Sequence, residues 1–216
     1  LTPYDRLAWT LVGASYLLGS IPFGLILGRA YAGVDVRQAG SGNIGATNVA
    51  RTAGKKLGVL TLLLDAAKGA IPVAVAAIVL RTPNDATWPA AAGLAAFLGH
   101  VFPFWLRFRG GKGVATAFGA FLVLSSWLAA AAAGAFAATF LLWRTVSLAS
   151  MLAALVAAGV ALAVEGPNWP VTRVAGVVLL VVLVRHQSNV RRMLRGEEGR
   201  LAARRSGRRS SRRPGG

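Results

Sequence analysis

Long apolar runs broken by short polar segments dominate the chain. The first run covers about residues 8–28, close to the ~20 residues an α-helix needs to cross a hydrocarbon core, and it includes Pro22 and Gly24, which membrane helices tolerate. Further runs occupy about 57–80, 88–106, 114–143, 146–164 and 169–185. The 30-residue run 114–143 is too long for one comfortable crossing and just long enough for two short ones that turn near Ser125, Ser126 and Trp127. Splitting it into 114–126 and 129–143 gives seven crossings. The predicted fold is therefore all-α, a polytopic helical membrane protein.

Charge placement chooses among the topologies. With seven crossings, the polar segment 29–56, the loop around residues 109–113, Arg144 and the basic C-terminal stretch all fall on one side. With six, the last of these would lie opposite the others, against the tendency of Lys and Arg to gather in cytoplasmic loops. Five crossings, with later segments fused and one run partly re-entrant, also keep the charges together. Seven is adopted, with the N-terminus outside and the C-terminus cytoplasmic.

Composition agrees: 55% of the residues are hydrophobic and 14% charged, and the mean hydropathy is +0.58. The net charge of +17 is unevenly spread, since residues 185–216 hold 11 Arg and 2 Glu and so carry +9 of it. Residues 1–198 are read as one integral membrane domain. Residues 199–216, rich in Arg, Ser and Gly, are read as a disordered tail attracted to anionic headgroups, with no nucleic acid expected as partner. The absence of cysteine excludes disulfide and thiol chemistry, and two histidines, His100 and His186, make no zinc cluster. No signal peptide is expected, because the first apolar run is too long for one and lacks a small-residue cleavage site.

Three polar clusters carry candidate chemistry. Residues 40–51 read GSGNIGATNVAR, where Gly40, Gly42 and Gly45 let the backbone turn its N–H groups toward an anion. Ser41, Asn43, Thr47 and Asn48 add side-chain donors there, and Arg51 can pair bidentately with phosphate. The RGGKG of residues 109–113 again joins flexible backbone at Gly110, Gly111 and Gly113 to a cation, Lys112, without the spacing of a nucleotide-binding P-loop. At the end of the last run, His186 and Asn189 are three apart and share a face on a continuing helix. Taken singly, each cluster also reads as an ordinary surface turn or helix cap. Asp65 and Lys68, three apart within an apolar run, are functional suspects that can pair with each other or with a neighbouring loop.

Together with the DAAKGA of 65–70, the GHVFPFWLRFRGGKGVAT of 99–116 and the HQSNVRRMLRGEE of 186–198, these clusters closely resemble one family over about residues 8–198, in the same order. That family is the bacterial acyl-phosphate-dependent glycerol-3-phosphate acyltransferases. The resemblance implies a multi-pass enzyme of the bacterial inner membrane with its active site facing the cytoplasm. It implies transfer of a fatty acyl group from acyl phosphate to the 1-hydroxyl of sn-glycerol 3-phosphate, giving lysophosphatidic acid and phosphate. It also implies that Ser41 and Arg51 are essential, that Gly110–Gly113 serve glycerol-phosphate binding, and that His186, Asn189 and a glutamate form a third motif.

Acyl phosphate is an activated mixed anhydride, so positioning and oxyanion stabilisation can suffice without an acyl-enzyme. The expected roles follow. Ser41 donates a hydrogen bond; Arg51 and Lys112 clamp phosphate; His186 orients or deprotonates the glycerol hydroxyl, unless a leaving phosphate oxygen takes that proton; Asn189 binds substrate. Lys68 and Ser147 are candidate phosphate contacts, and Asp65 and Glu198 are supports. No metal or cofactor is expected, and the unit is a monomer in a lipid bilayer. A transporter of organic phosphate is the alternative, although neither glycine cluster is repeated as paired transporter halves would require. A charge-relay acyltransferase is excluded, since no Asp follows either histidine by four residues.

Overall fold

The computed structural model describes residues 1–81 and 85–198; the expected disordered tail, and Pro83 and Asn84 of the loop after Arg81, lie outside the described residues. All regular structure among the described residues is helical: α1 (Pro3–Gly19), α2 (Phe23–Ala32), α3 (Ala46–Thr52), α4 (Lys55–Leu80), α5 (Thr87–Val101), a 3₁₀ turn (Phe104–Leu106), α6 (Val114–Leu124), α7 (Ser126–Trp143), α8 (Val146–Glu165), α9 (Pro170–Arg185) and α10 (Gln187–Leu194). Five segments are long and apolar enough to cross a bilayer: Pro3–Ala32, Lys55–Leu80, Thr87–Leu106, Ser126–Trp143 and Val146–Glu165. α9 and α10 form a sixth candidate, bent by 52°.

Two expectations need correction. The run 8–28 is not one helix, because the chain breaks at Ser20–Pro22. Pro22 has no N–H to continue the ladder and disfavours helix before it. The break frees the Ile21 carbonyl, which the Lys68 ammonium reaches at 2.7 Å. The run 114–143 does divide at Ser125, whose extended backbone ends α6. However, α6 has 11 residues, or about 16 Å at helical rise, shorter than the ~20-residue helix of a full crossing.

Small residues set the packing. Gly19 of α1 lies against the Ala96 backbone of α5, Gly69 of α4 against Thr116, and Gly119 of α6 against Ala66, each where a Cβ would collide with backbone. Such close approach is how helices gain van der Waals contact where lipid removes the hydrophobic drive between them. α5, α6, α8 and α9 bury a common core with Phe97, Val101, Phe121, Ala157, Val171 and Val182. Leu63, Ile71 and Ile78 of α4, Leu141 and Leu142 of α7, and Leu162 and Leu180 of α8 and α9 face outward. An apolar belt of that extent is a lipid-facing surface.

The element order puts the polar segments at one end of the bundle. Ala8, Ala76, Leu80 and Ala92 cluster at the start of α1, the end of α4 and the start of α5, marking the opposite end. The 33–45 loop, the 102–113 loop, the start of α8 and the α9–α10 joint converge at the polar end, as the clefts they share and the bonds of Ser147 and Arg185 show.

Candidate active site

The glycine run is built around Asn48. This buried side chain donates from Nδ2 to the carbonyls of Val36 (2.8 Å), Asn43 (2.8 Å) and Ala39 (3.1 Å) and accepts the Ser41 amide at 2.8 Å. Gly42 N–H donates to Ala39 and Gly45 N–H to Asn43 Oδ1. Gly40 and Gly42 adopt φ of +62° and +70°, the left-handed region that favours glycine. The amides of Ser41, Gly42 and Gly45 are therefore committed inside the loop and do not form an anion nest. Asn48, expected as a ligand contact, is the loop's scaffold. What the run presents outward is side chains: the Ser41 hydroxyl and the Asn43 amide, whose Oδ1 is taken and whose NH₂ can donate.

The second cluster is held from both sides. Gly110 and Gly111 donate their amides to the Val101 and His100 carbonyls (3.1 Å each). In turn their carbonyls accept from Arg185, at 2.7 Å from Nη2 to Gly110 and 3.2 Å from Nε to Gly111. A Cβ on Gly111 would enter the His100 ring, and one on Gly110 would meet the His100 carbonyl and Pro103. These glycines thus serve close packing, and their amides are not free for phosphate as expected. Gly113 adopts φ +78° and starts α6. The result fixes Lys112, whose Nζ donates to Asn189 Oδ1 at 2.5 Å.

The third cluster closes the set. Asn189 Nδ2 donates to Glu198 Oε1 (2.6 Å), Ser147 Oγ donates to the same oxygen (2.7 Å), and Arg192 Nε donates to Oε2 (2.8 Å). Partial burial pushes the Glu198 carboxyl up, but these three donors outweigh it and hold it below its ordinary value. Ser147, expected as a phosphate contact, is tied to Glu198, while Glu198 has the supporting place expected of it.

A cleft of about 450 Å³ results, lined by Ser41, Asn43, Lys112, Arg185, Asn189 and Arg192 among others. Burial lowers the Lys112 pKa to about 8; Glu198 opposes the shift, and the charges of Arg192, Arg185 and Arg51 add to it. Three cations, Lys112, Arg185 and Arg192, line the cleft, and Glu198 is ion-paired with Arg192; the surplus of positive charge is one that a phosphate would neutralise.

The remaining expected residues fall elsewhere. Arg51, on the last turn of α3, does not line the cleft but acts on Lys112 through its charge. Thr47 stands half-buried on α3, outside the lining. His186, 2% exposed at the α9–α10 joint, is not in the lining either. Its Nδ1 lies 2.8 Å from the Val182 carbonyl; a carbonyl can only accept, so Nδ1 carries the proton and Nε2 is left as the acceptor. Burial, with help from the Lys112 charge, lowers its pKa to about 4.

Lys68 is buried 2.9 Å from Asp65 Oδ1, with His100 Nδ1 3.5 Å from the same oxygen. It is not among the residues that line the cleft. This trio lies under the RGGKG loop, with His100 as the contact.

Three residues escaped the sequence reading. Arg185 ends an apolar run and His100 lies inside another, and an ionisable group within a crossing is a signal that could have drawn notice to both. Arg192 had no such signal, being one of several arginines at the mouth.

The fold and the cleft define a multi-pass α-helical membrane protein with a cationic cleft at one end of its bundle. The sequence model of the glycerol-3-phosphate acyltransferase family matches residues 9–196. The chain is 50% identical over 198 residues to the glycerol-3-phosphate acyltransferase of Anaeromyxobacter dehalogenans (strain 2CP-1 / ATCC BAA-258), covering 91% of this chain and 98% of that one. It is 48% identical over 191 residues to that of Myxococcus xanthus (strain DK1622), covering 88% and 98%. The crystal structure of PlsY (YgiH), an integral membrane glycerol 3-phosphate acyltransferase, in its glycerol 3-phosphate form superposes with a TM-score of 0.84 at 41% identity, covering 89% of this chain and 94% of that one. Its lysophosphatidic acid form gives 0.81 over the same shares. The chain belongs to the glycerol-3-phosphate acyltransferase family.

Proposed function

We propose that the protein transfers a fatty acyl group from acyl phosphate to the 1-hydroxyl of sn-glycerol 3-phosphate, producing lysophosphatidic acid and inorganic phosphate. The observation that carries the reading is the convergence of Ser41, Asn43, Lys112 and Asn189 in one cationic cleft at the polar end of a lipid-embedded bundle. Both substrates bring phosphate to that end, and the acyl chain extends along the apolar outer face. In the step itself, the glycerol oxygen attacks the acyl carbon, the bond from that carbon to the phosphate oxygen breaks, and the hydroxyl proton passes to the departing phosphate.

The phosphate is the better proton acceptor here. His186 has a pKa of about 4, well below what general-base work near neutrality favours, and it stands out of the cleft lining. Lys112 clamps phosphate, assisted by Arg51, Arg185 and Arg192. Ser41 and Asn43 donate to the oxyanion, and Asn189 holds Lys112 and the substrate. No covalent acyl-enzyme forms. The working unit is one chain in the bacterial inner membrane, crossing it seven times with α6 as a short segment. The N-terminus lies outside, and the cleft and the basic C-terminal region face the cytoplasm.

Purified protein given radiolabelled glycerol 3-phosphate tests the donor. Turnover with palmitoyl phosphate and little with palmitoyl-CoA is expected; efficient use of palmitoyl-CoA alone overturns the assignment. A stable acyl adduct on Ser41 after incubation with palmitoyl phosphate alone contradicts direct transfer.

A further inference from the structure

A second cleft, of about 480 Å³, lies on the other side of the glycine run and is lined by Arg37, Gly42, Trp105, Leu106, Arg107 and Arg109 among others. Gly42 faces this cleft while its neighbour Ser41 faces the candidate active site, so one loop forms a wall of both. The charges are unequal. Arg37 is bound to Asp35 through Nε (3.0 Å) and Nη2 (2.7 Å), and Arg29 shares that carboxylate. Arg107 and Arg109 have no ion pair or side-chain hydrogen bond among the described residues. Among the described residues, Asp35 offsets Arg29 and Arg37, and no carboxylate joins Arg107 and Arg109 in the cleft lining.

The apolar wall has a definite character. Trp105 is 58% exposed yet fixed, because its Nε1–H donates to Ser20 Oγ at 2.7 Å. Phe104 packs on it, with ring centroids 4.3 Å apart, and Phe108 is also exposed. Aromatics at the end of a crossing settle at the headgroup level of a bilayer. Between them the backbone is strained: Arg107 and Phe108 are consecutive non-glycine residues at φ +51° and +62°. Such conformations are costly and persist where the surroundings hold them, often at binding sites. Arg107 and Arg109, on either side of Phe108, are both exposed and line the cleft with Trp105.

We infer that this cleft binds the phosphate headgroup of an anionic bilayer phospholipid, with the guanidiniums on the phosphate and the Trp105–Leu106 wall against the glycerol and upper acyl chains. Free phosphate would satisfy the arginines alone; the fixed, exposed aromatic wall at headgroup depth favours a lipid. The site is separate from the acyl-transfer cleft and does not depend on its assignment. Through the shared loop, a bound lipid would steady the wall that carries Ser41 and Asn43.

Native mass spectrometry of the detergent-purified full chain tests this with phosphatidylglycerol, phosphatidylcholine and inorganic phosphate as probes. Wild-type protein is expected to retain phosphatidylglycerol over phosphatidylcholine, and Arg107→Gln with Arg109→Gln is expected to weaken that retention by about 30-fold. Equal retention of the two lipids by wild type, or undiminished retention by the double variant, overturns the inference. So does displacement of the lipid by equimolar inorganic phosphate, which would mark a site for the free anion. Should the double variant not fold, the two wild-type comparisons still decide.

Discussion

Lys112 Nζ donates to Asn189 Oδ1 across 77 residues of sequence, at 2.5 Å. That contact joins the loop before α6 to the helix after the last crossing, and Asn189 passes it on to Glu198. One hydrogen-bonded chain thus orients the only lysine in the cleft lining. It also holds an ammonium that its surroundings make easy to deprotonate.

The pH dependence follows from that ammonium. With a pKa of about 8 in the free protein, Lys112 is charged below that value and loses its charge as pH rises through it. Glycerol 3-phosphate is already dianionic there, its second pKa being near 6 by analogy with other phosphomonoesters. We expect kcat/KM for glycerol 3-phosphate to fall above about pH 8. In Lys112→Arg, whose side chain stays charged, whatever activity remains should lose that alkaline limb. A wild-type profile flat to pH 10 would disprove the role of the ammonium.

Glu198→Gln tests the brace. It removes the charge that three donors share and should lower thermal stability by about 1–3 kcal/mol. It should also raise KM for glycerol 3-phosphate more than it lowers kcat, since Asn189 and Arg192 lose their anchor. A fall in kcat alone, with KM and melting temperature unchanged, would show instead that Glu198 acts directly in the chemistry.

Asp65 and Lys68 are read as structural, and double replacement separates that from a substrate role. Asp65→Ala alone leaves a buried cation without its partner and should cost about 3–5 kcal/mol. The paired change Asp65→Leu with Lys68→Met should recover much of the stability and retain turnover in membranes. Inactivity in a paired variant that folds normally would return Lys68 to the list of ligand contacts.

At Gly111 the prediction is steric. Gly111→Ala drives a methyl into the His100 ring, and overpacking of this kind costs about 1–3 kcal/mol. Melting of the variant, measured beside Gly134→Ala, where a Cβ meets nothing within 4 Å, should show the loss at Gly111 only. Equal melting temperatures would contradict the packing described here.

Much of this was legible in the chain. Hydropathy runs mark every long helix, and the length of 114–143 together with Ser125 marks the division between α6 and α7. Four of the residues that line the cleft, Ser41, Asn43, Lys112 and Asn189, follow from their motifs. The rest was hidden for physical reasons. Composition shows that a glycine loop can offer amides, but only the fold shows that Asn48, Val101 and His100 have already engaged them. Spacing places His186 and Asn189 on one face of a continuing helix, but the chain bends by 52° at that joint; His186 turns into the core and Asn189 toward Lys112. Pro22 reads from the sequence as tolerable within a crossing, whereas the carbonyl it frees is a partner of buried Lys68 beside Asp65.

The most direct test of the proposed site is turnover of radiolabelled glycerol 3-phosphate with palmitoyl phosphate by purified Lys112→Met and Asn189→Ala, each checked for a wild-type melting profile. The account predicts that each loses at least about 100-fold in kcat/KM, as expected when a fixed electrostatic contact to a reacting phosphate is removed. Wild-type turnover by either folded variant would contradict it.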